Sequence, residues 1–215
     1  MKHQQRIKRL VDFNLYLITD RKLFSDEVSS FYAIEQALEG GVKAIQLREK
    51  DLATRQLLNM AYSMRRLTDR YNARLFINGR VDLAIASGAD GVHLGSMSIP
   101  TSAARRIAGE KMLLGISAHS PDEAKNAEND GADFVTLGPV FDTPLKRQYG
   151  KPLGLDVIRR AAAELSIPVF AIGGIKMGHI KDILDSGAYG VALISAILAS
   201  DNVKSSSENF VRAME

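Results

Sequence analysis

Apolar residues in this chain come in short runs set between amphipathic stretches, and four of the runs share one grammar, Gly-x-x-x-apolar-x-Leu. They are residues 41–47 (GVKAIQL), 88–94 (GADGVHL), 131–137 (GADFVTL) and 187–193 (GAYGVAL). Each Gly closes a polar or amphipathic stretch, where a helix would end in a left-handed cap. Each then opens a β-rich run. Four further apolar runs lie between them: 15–19 (LYLIT), 75–78 (LFIN), 113–117 (LLGIS) and 169–172 (VFAI). Eight strands are therefore predicted. Helices are predicted in six of the seven gaps, over 33–38, 54–71, 101–109, 122–130, 156–164 and 179–186. The remaining gap offers only a short helix, 81–87.

Alternating strand and helix implies parallel strands joined by crossover helices. Eight units in 215 residues leave about 27 residues each, compact but workable for a (β/α)8 TIM barrel. An open doubly wound sheet fits less well, because the repeat recurs at every second strand up to the last. Four two-strand units closed into a barrel account for that spacing. The chain is expected to form one domain, residues 1–215, with a capping helix over 1–12 and, over 201–215, a polar, Ser-rich loop (201–207) followed by a short helix.

Composition adds exclusions. With Cys at 0, disulfides, thiolate metal sites and a cysteine nucleophile are ruled out. Lys+Arg 28 against Asp+Glu 25 leaves a net charge of +3. That surplus is small and scattered, so neither nucleic acid nor a membrane is expected as a partner. No apolar run approaches the roughly 20 residues of a membrane span, and no apolar stretch follows the charged N-terminus as in a secretory signal. The expected compartment is the cytoplasm.

In barrels of this type the active site lies where strands run into the following loops. After the second strand come Gln46, Arg48 and Lys50. Alternation points Gln46 and Arg48 into the barrel mouth with Lys50 just above, and turns Glu49 outward. Amide, guanidinium and ammonium groups in one row suit an anionic ligand. The third strand ends in Asn78. The fourth carries His93, expected to face inward, more readily as a packed, hydrogen-bonded residue than as a catalyst. The fifth ends in Ser117, with His119 just beyond it at a helix start marked by Ser120 and Pro121. His119 is the better acid–base candidate, since a strand-end imidazole titrates near neutral pH. The longest loop, 138–153, carries Thr143, Lys146, Arg147 and Lys151 and suits a lid over phosphate. Gly173 and Gly174 after the seventh strand, with Ser195 and Ala196 after the eighth, suit a backbone phosphate cradle. Carboxylates at the strand ends are few, Glu49 and Asp142, so no metal site is expected.

The motifs QLREK (46–50), INGRVDLA (77–84), GADGVHLG (88–95), GISAHSPDEA (115–124), GADFVTLGPVFDTPLK (131–146), IGGI (172–175) and GVALISAI (190–197) resemble the thiamine phosphate synthase / TenI superfamily. The resemblance runs over residues 15–197. It implies a (β/α)8 barrel acting on thiazole phosphates in thiamine biosynthesis, with a homodimer as the suggested assembly. Synthases of the superfamily join a pyrimidine diphosphate to thiazole phosphate using Mg²⁺. The resemblance places their two metal-binding aspartates after Asn78 and in the segment after Gly95, where this chain has Gly79 and Ser96-Met97-Ser98. In the synthase loop Pro-Thr-x-Thr-Lys, Leu145 replaces the second Thr. The TenI branch resembles the chain at these places. Its members are metal-independent thiazole tautomerases, which aromatise a dihydro carboxythiazole phosphate by moving a proton. The expectation is therefore a tautomerase, an isomerase without cofactor. His119 would carry the proton, Gly174 and Ser195 would hold the phosphate, and Arg48 with Lys50 or Lys146 would hold the carboxylate. Asn78, Ser117 and Thr143 would line the pocket. The alternatives are a thiamine-phosphate synthase with an altered Mg²⁺ site, or a non-catalytic barrel binding thiazole phosphate.

Overall fold

A computed structural model describes residues 11–143 and 152–215. Eight parallel strands close into a barrel in chain order. They are β1 (Leu15–Ile18), β2 (Ala44–Leu47), β3 (Arg74–Asn78), β4 (Gly91–Leu94), β5 (Leu113–Ala118), β6 (Phe134–Leu137), β7 (Val169–Ile172) and β8 (Gly190–Leu193). Closure is made by β8 on β1, with Leu15 opposite Val191 and Leu17 opposite Leu193. Every gap carries a helix: α1 (Glu27–Glu39), α2 (Thr54–Arg70), α3 (Val81–Ser87), α4 (Thr101–Ala108), α5 (Pro121–Asn129), α6 (Gly154–Glu164) and α7 (Ile180–Asp185). The short α8 (Ser195–Leu198) and the longer α9 (Val203–Ala213) follow β8. The architecture is the expected (β/α)8 barrel. Among the described residues, no helix is long and apolar enough to cross a membrane.

The four-fold sequence repeat has a direct geometric meaning. Gly41, Gly88, Gly131 and Gly187 all take positive φ, from 66° to 96°, the left-handed turn that lets a helix end and a strand begin at once. The apolar residue and the Leu of each repeat pack outward under the helices, as Ile45 and Leu47 do in β2. The residue between them points into the barrel. Those residues are Gln46, His93, Thr136 and Ala192, all buried. One sequence pattern thus builds the outer core and leaves a free position, on alternate strands, to furnish the interior.

The floor of the barrel is aromatic. Phe13, Tyr16, Phe76, Phe134 and Phe170 form a single buried cluster, with Tyr16 and Phe76 5.2 Å apart edge to face. Glycines on the strands make room for the rings. A Cβ at Gly91 would lie 2.4 Å from Phe76, and one at Gly115 2.3 Å from Phe134. Large and small residues therefore interlock across the interior.

Two Gly-Ala-Asp triplets inside the repeat do a second job. Asp90 accepts from the Leu75 N–H at 2.8 Å and from Arg65 at 2.6 Å. Asp133 accepts from the Leu114 N–H at 2.8 Å and from Arg105 at 2.5 Å. Each aspartate ties the strand before it to a helix. Burial raises the Asp90 pKa, but the Leu75 N–H, Arg65 and Arg74, whose guanidinium donates to Asp90 at 3.0 Å, outweigh it and hold the carboxyl below its ordinary range.

The C-terminal segment departs from expectation. Residues 203–207, expected in a loop, are the first turns of α9, because the Asn202 side chain caps the Ser205 N–H at 2.9 Å. The serines there are packing residues. Ser207 is fully buried, and a Cβ on Gly40 would lie 2.6 Å from its own, so α9 crosses the end of α1 at close range. The expected capping helix over 1–12 falls largely outside the described residues, and residues 11–12 take no regular structure.

Candidate functional site at the strand ends

The mouth is built by the last inward residues of each strand. Gln46 lies deepest, 1% exposed, and its Nε2 donates to the Tyr16 hydroxyl at 3.1 Å. It therefore sits one layer below the opening. Arg48 follows on the same face, half-buried at the rim. Its backbone N–H donates to Thr19 Oγ1. Glu49 turns away, as alternation requires. Its carboxylate accepts from Thr19 Oγ1 at 2.6 Å and from the Arg21 N–H at 3.2 Å. Burial pushes its pKa above the ordinary value, and these hydrogen bonds oppose that. Glu49 thus clamps the end of β2 to the end of β1. Lys50 is exposed above the rim.

His93 faces inward, as expected, and is the centre of a polar layer. Its Nε2 lies 3.0 Å from Ser117 Oγ and 3.4 Å from Thr136 Oγ1. Its ring packs against Tyr16 and Phe134. Burial pushes its pKa down to about 3, and the Arg48 charge adds to the shift. His93 is therefore neutral at physiological pH, and Arg48 brings a positive charge to the same mouth. Asn78, beside His93 in the β3–β4 register, is half-buried at the opening. Thr136 was not foreseen as a site residue, although it occupies the same repeat position as Gln46 and His93.

His119 stands on the rim, half-exposed. Its Nδ1 is 3.4 Å from Glu123 Oε2, and its backbone N–H donates to the same oxygen at 2.8 Å. Glu123 also receives the α5 cap, its N–H donating to Ser120 Oγ. His119 is thus tied to the start of a helix.

The rim at β7 is shaped by the loop after β6. The N–H groups of Val140 and Phe141 donate to Ile172 O and Gly173 O at 2.9 and 3.0 Å. A Cβ on Gly173 would lie 2.7 Å from Pro139, and one on Gly174 2.5 Å from Asp142 O. Both glycines also take positive φ, 97° and 66°. Their first duty is to let this loop lie against the strand end, which leaves their own backbone lining the rim. Ser195 is exposed and Ala196 half-buried at the start of α8. Thr143 is half-buried at the last described position of the loop. Lys146 falls outside the described residues, as do Arg147 and Lys151.

Gly79 and the segment after Gly95, where the resemblance places metal-binding aspartates, meet here. A Cβ on Gly79 would lie 3.6 Å from Ser98 Oγ, and that hydroxyl accepts from the Gly95 N–H at 3.1 Å. Mg²⁺ needs hard, preferably anionic oxygen ligands. Asp82, three residues beyond Gly79, is held by both ends of the Arg80 guanidinium, at 2.9 and 2.6 Å. Among the described residues no group of three or more His, Asp or Glu could hold a metal ion. The residues at this rim do not fit a protein-held Mg²⁺.

A closed barrel of eight parallel strands with a helix in every connection defines a class, the (β/α)8 barrels. Within it, the chain belongs to the thiamine monophosphate synthase family, whose sequence profile matches residues 15–197. A relative from Geobacter sulfurreducens is 53% identical over 189 residues, 88% of each chain. The thiamine-phosphate synthase of Chloroflexus aurantiacus is 44% identical over 197 residues, 92% of this chain and 90% of its own. The solved structure of the thiamine phosphate pyrophosphorylase from Pyrococcus furiosus is 37% identical, with a TM-score of 0.87 over 96% of this chain and 97% of that one. These likenesses overturn the expected TenI-type tautomerase. Relatives similar over nearly the whole chain bear the name of a synthase, which is a transferase and not an isomerase. The proton-carrier role given to His119 belonged to that expectation, which had rested on a handful of rim positions.

Proposed function

We propose that this chain is a thiamine-phosphate synthase. It joins hydroxymethylpyrimidine diphosphate to thiazole phosphate and releases diphosphate. Support comes from the 44% identity of 92% of the chain to the C. aurantiacus synthase. In the reaction the thiazole nitrogen bonds to the pyrimidine methylene carbon, and the C–O bond to diphosphate breaks with its electron pair.

Such a site must hold two anions and keep the reacting atoms in line. The backbone N–H groups at Gly173, Gly174, Ser195 and Ala196 take the thiazole phosphate, at the rim where barrels most often bind phosphate. Arg48, with Lys50 and Lys146, takes the diphosphate, and a guanidinium can grip it with two parallel hydrogen bonds. Asn78, Ser117 and Thr143 line the space between. Gln46 steadies Tyr16 beneath them. Growth of a bacterium lacking its own synthase tests the proposal. Expression of this chain should restore growth without added thiamine, and failure of a well-expressed chain to do so would count against it.

A further inference from the structure

We infer that the substrate diphosphate is neutralised in this chain by the protein's own cations, Arg48 foremost, and not by a divalent metal held on carboxylates between β3 and β4. The inference rests on the synthase reading above.

Three observations carry it. The facing pair at that rim is Gly79 and Ser98, neither of them anionic, and the Ser98 hydroxyl already accepts from Gly95. The neighbouring carboxylates are engaged elsewhere: Asp82 with Arg80, Glu49 with Thr19 and Arg21, and Asp51 with Arg21 at 2.7 Å. Arg48, in contrast, sits half-buried at the rim just past the end of β2, near enough for its charge to act on His93, and no carboxylate among the described residues forms an ion pair with it. An anion arriving there meets an uncompensated guanidinium. Nothing built into the chain at the β3–β4 rim would bring a metal with it.

The rim retains room for the missing ligands, so the inference can be tested by restoring them. A Cβ at position 79 makes only ordinary contact with Ser98. Its φ of 72° is one that Asp tolerates better than most residues. Inorganic diphosphate is the first probe, followed by calorimetry in EDTA. The wild type should bind it without metal, Mg²⁺ should change the affinity by less than about threefold, and Arg48→Gln should weaken it about tenfold. Mn²⁺ is the second probe, followed by its paramagnetic resonance signal. The wild type should leave Mn²⁺ free, whereas Gly79→Asp with Ser98→Asp should bind it at least about tenfold more tightly. Should the double variant not fold, Ser98→Asp alone and the wild-type measurements still decide the matter. Diphosphate binding that appears only with Mg²⁺, or wild-type Mn²⁺ uptake equal to that of the variant, would overturn the inference. Thiamine phosphate formation is read in the same preparations. Its absence with diphosphate binding intact counts against the synthase reading alone.

Discussion

His93 Nε2 lies 3.0 Å from Ser117 Oγ, and this contact decides which way the serine proton points. His93 Nδ1 is buried without a partner and faces Gly115, whose added Cβ would be 2.6 Å away. A bare acceptor is tolerated in such a place more readily than an orphaned N–H. The hydrogen-bond network therefore assigns the proton to Nε2, which donates to Ser117. The serine is left free to donate its own proton to another partner.

The same burial makes stability depend on pH. His93 titrates at about 3 in the folded protein and near 6.5 in an unfolded chain. The unfolded state takes up the proton first, so stability is full above about pH 6.5 and falls as pH drops toward 3. For this one group the loss is up to about 1.4 kcal/mol per pH unit. Urea unfolding between pH 5 and 7 should show that slope, and His93→Gln should flatten it. Equal slopes in the two proteins would contradict the assignment.

Gly115 is a spacer for two rings. Gly115→Ala would drive a methyl group to within 2.3 Å of Phe134 and 2.6 Å of His93. The expected cost is about 1–3 kcal/mol, or roughly 2–4 °C of melting temperature per kcal/mol at this size. Gly95→Ala is the control. Nothing lies within 4 Å of its Cβ position, and its melting temperature should stay within a degree or so of wild type.

Asp133 anchors β5 and α4 together. Asp133→Asn keeps the shape but removes the charge that faces Arg105, whose side chain is only 16% exposed. A loss of about 2–3 kcal/mol is expected from denaturant unfolding. Asp90→Asn should behave alike, since Asp90 holds the equivalent place beneath β3. A change below about 0.5 kcal/mol in both would show that these clamps are solvent-screened surface pairs.

Much of this architecture was legible because one physical cause repeats. A left-handed Gly, an outward apolar residue and an outward Leu recur on alternate strands, and a closed βα array accounts for that spacing better than an open sheet does. Arg48 was placed in the mouth by alternation alone, and Asn78 by its place at the end of its strand. Other features were less visible. The serines at 205–207 read as a loop, since sequence shows small polar residues but not the helix crossing at Gly40 that requires them. Asp90 and Asp133 were seen as part of a repeat, yet their partners lie on other elements. The tautomerase expectation failed for a different reason. Gly79 and Ser98 speak about one rim, and the likeness of nearly the whole chain to synthases outweighs them.

The phosphate cradle proposed at the β7 rim is tested at Gly174. Gly174→Ala adds a methyl group 2.5 Å from Asp142 O at a φ of 66°, so the β6 loop and the β7 end must part. The KM for thiazole phosphate should rise about tenfold, with the KM for the pyrimidine diphosphate little changed. Equal rises in both would show that the phosphate sits elsewhere.

The most direct measurement of the central claim is product formation by the purified protein. Hydroxymethylpyrimidine diphosphate and thiazole phosphate are supplied together, with and without Mg²⁺, and thiamine phosphate is read as fluorescent thiochrome. The predicted result is one thiamine phosphate for each diphosphate released. The contradicting result is no thiamine phosphate under either condition from protein that is folded and binds both substrates.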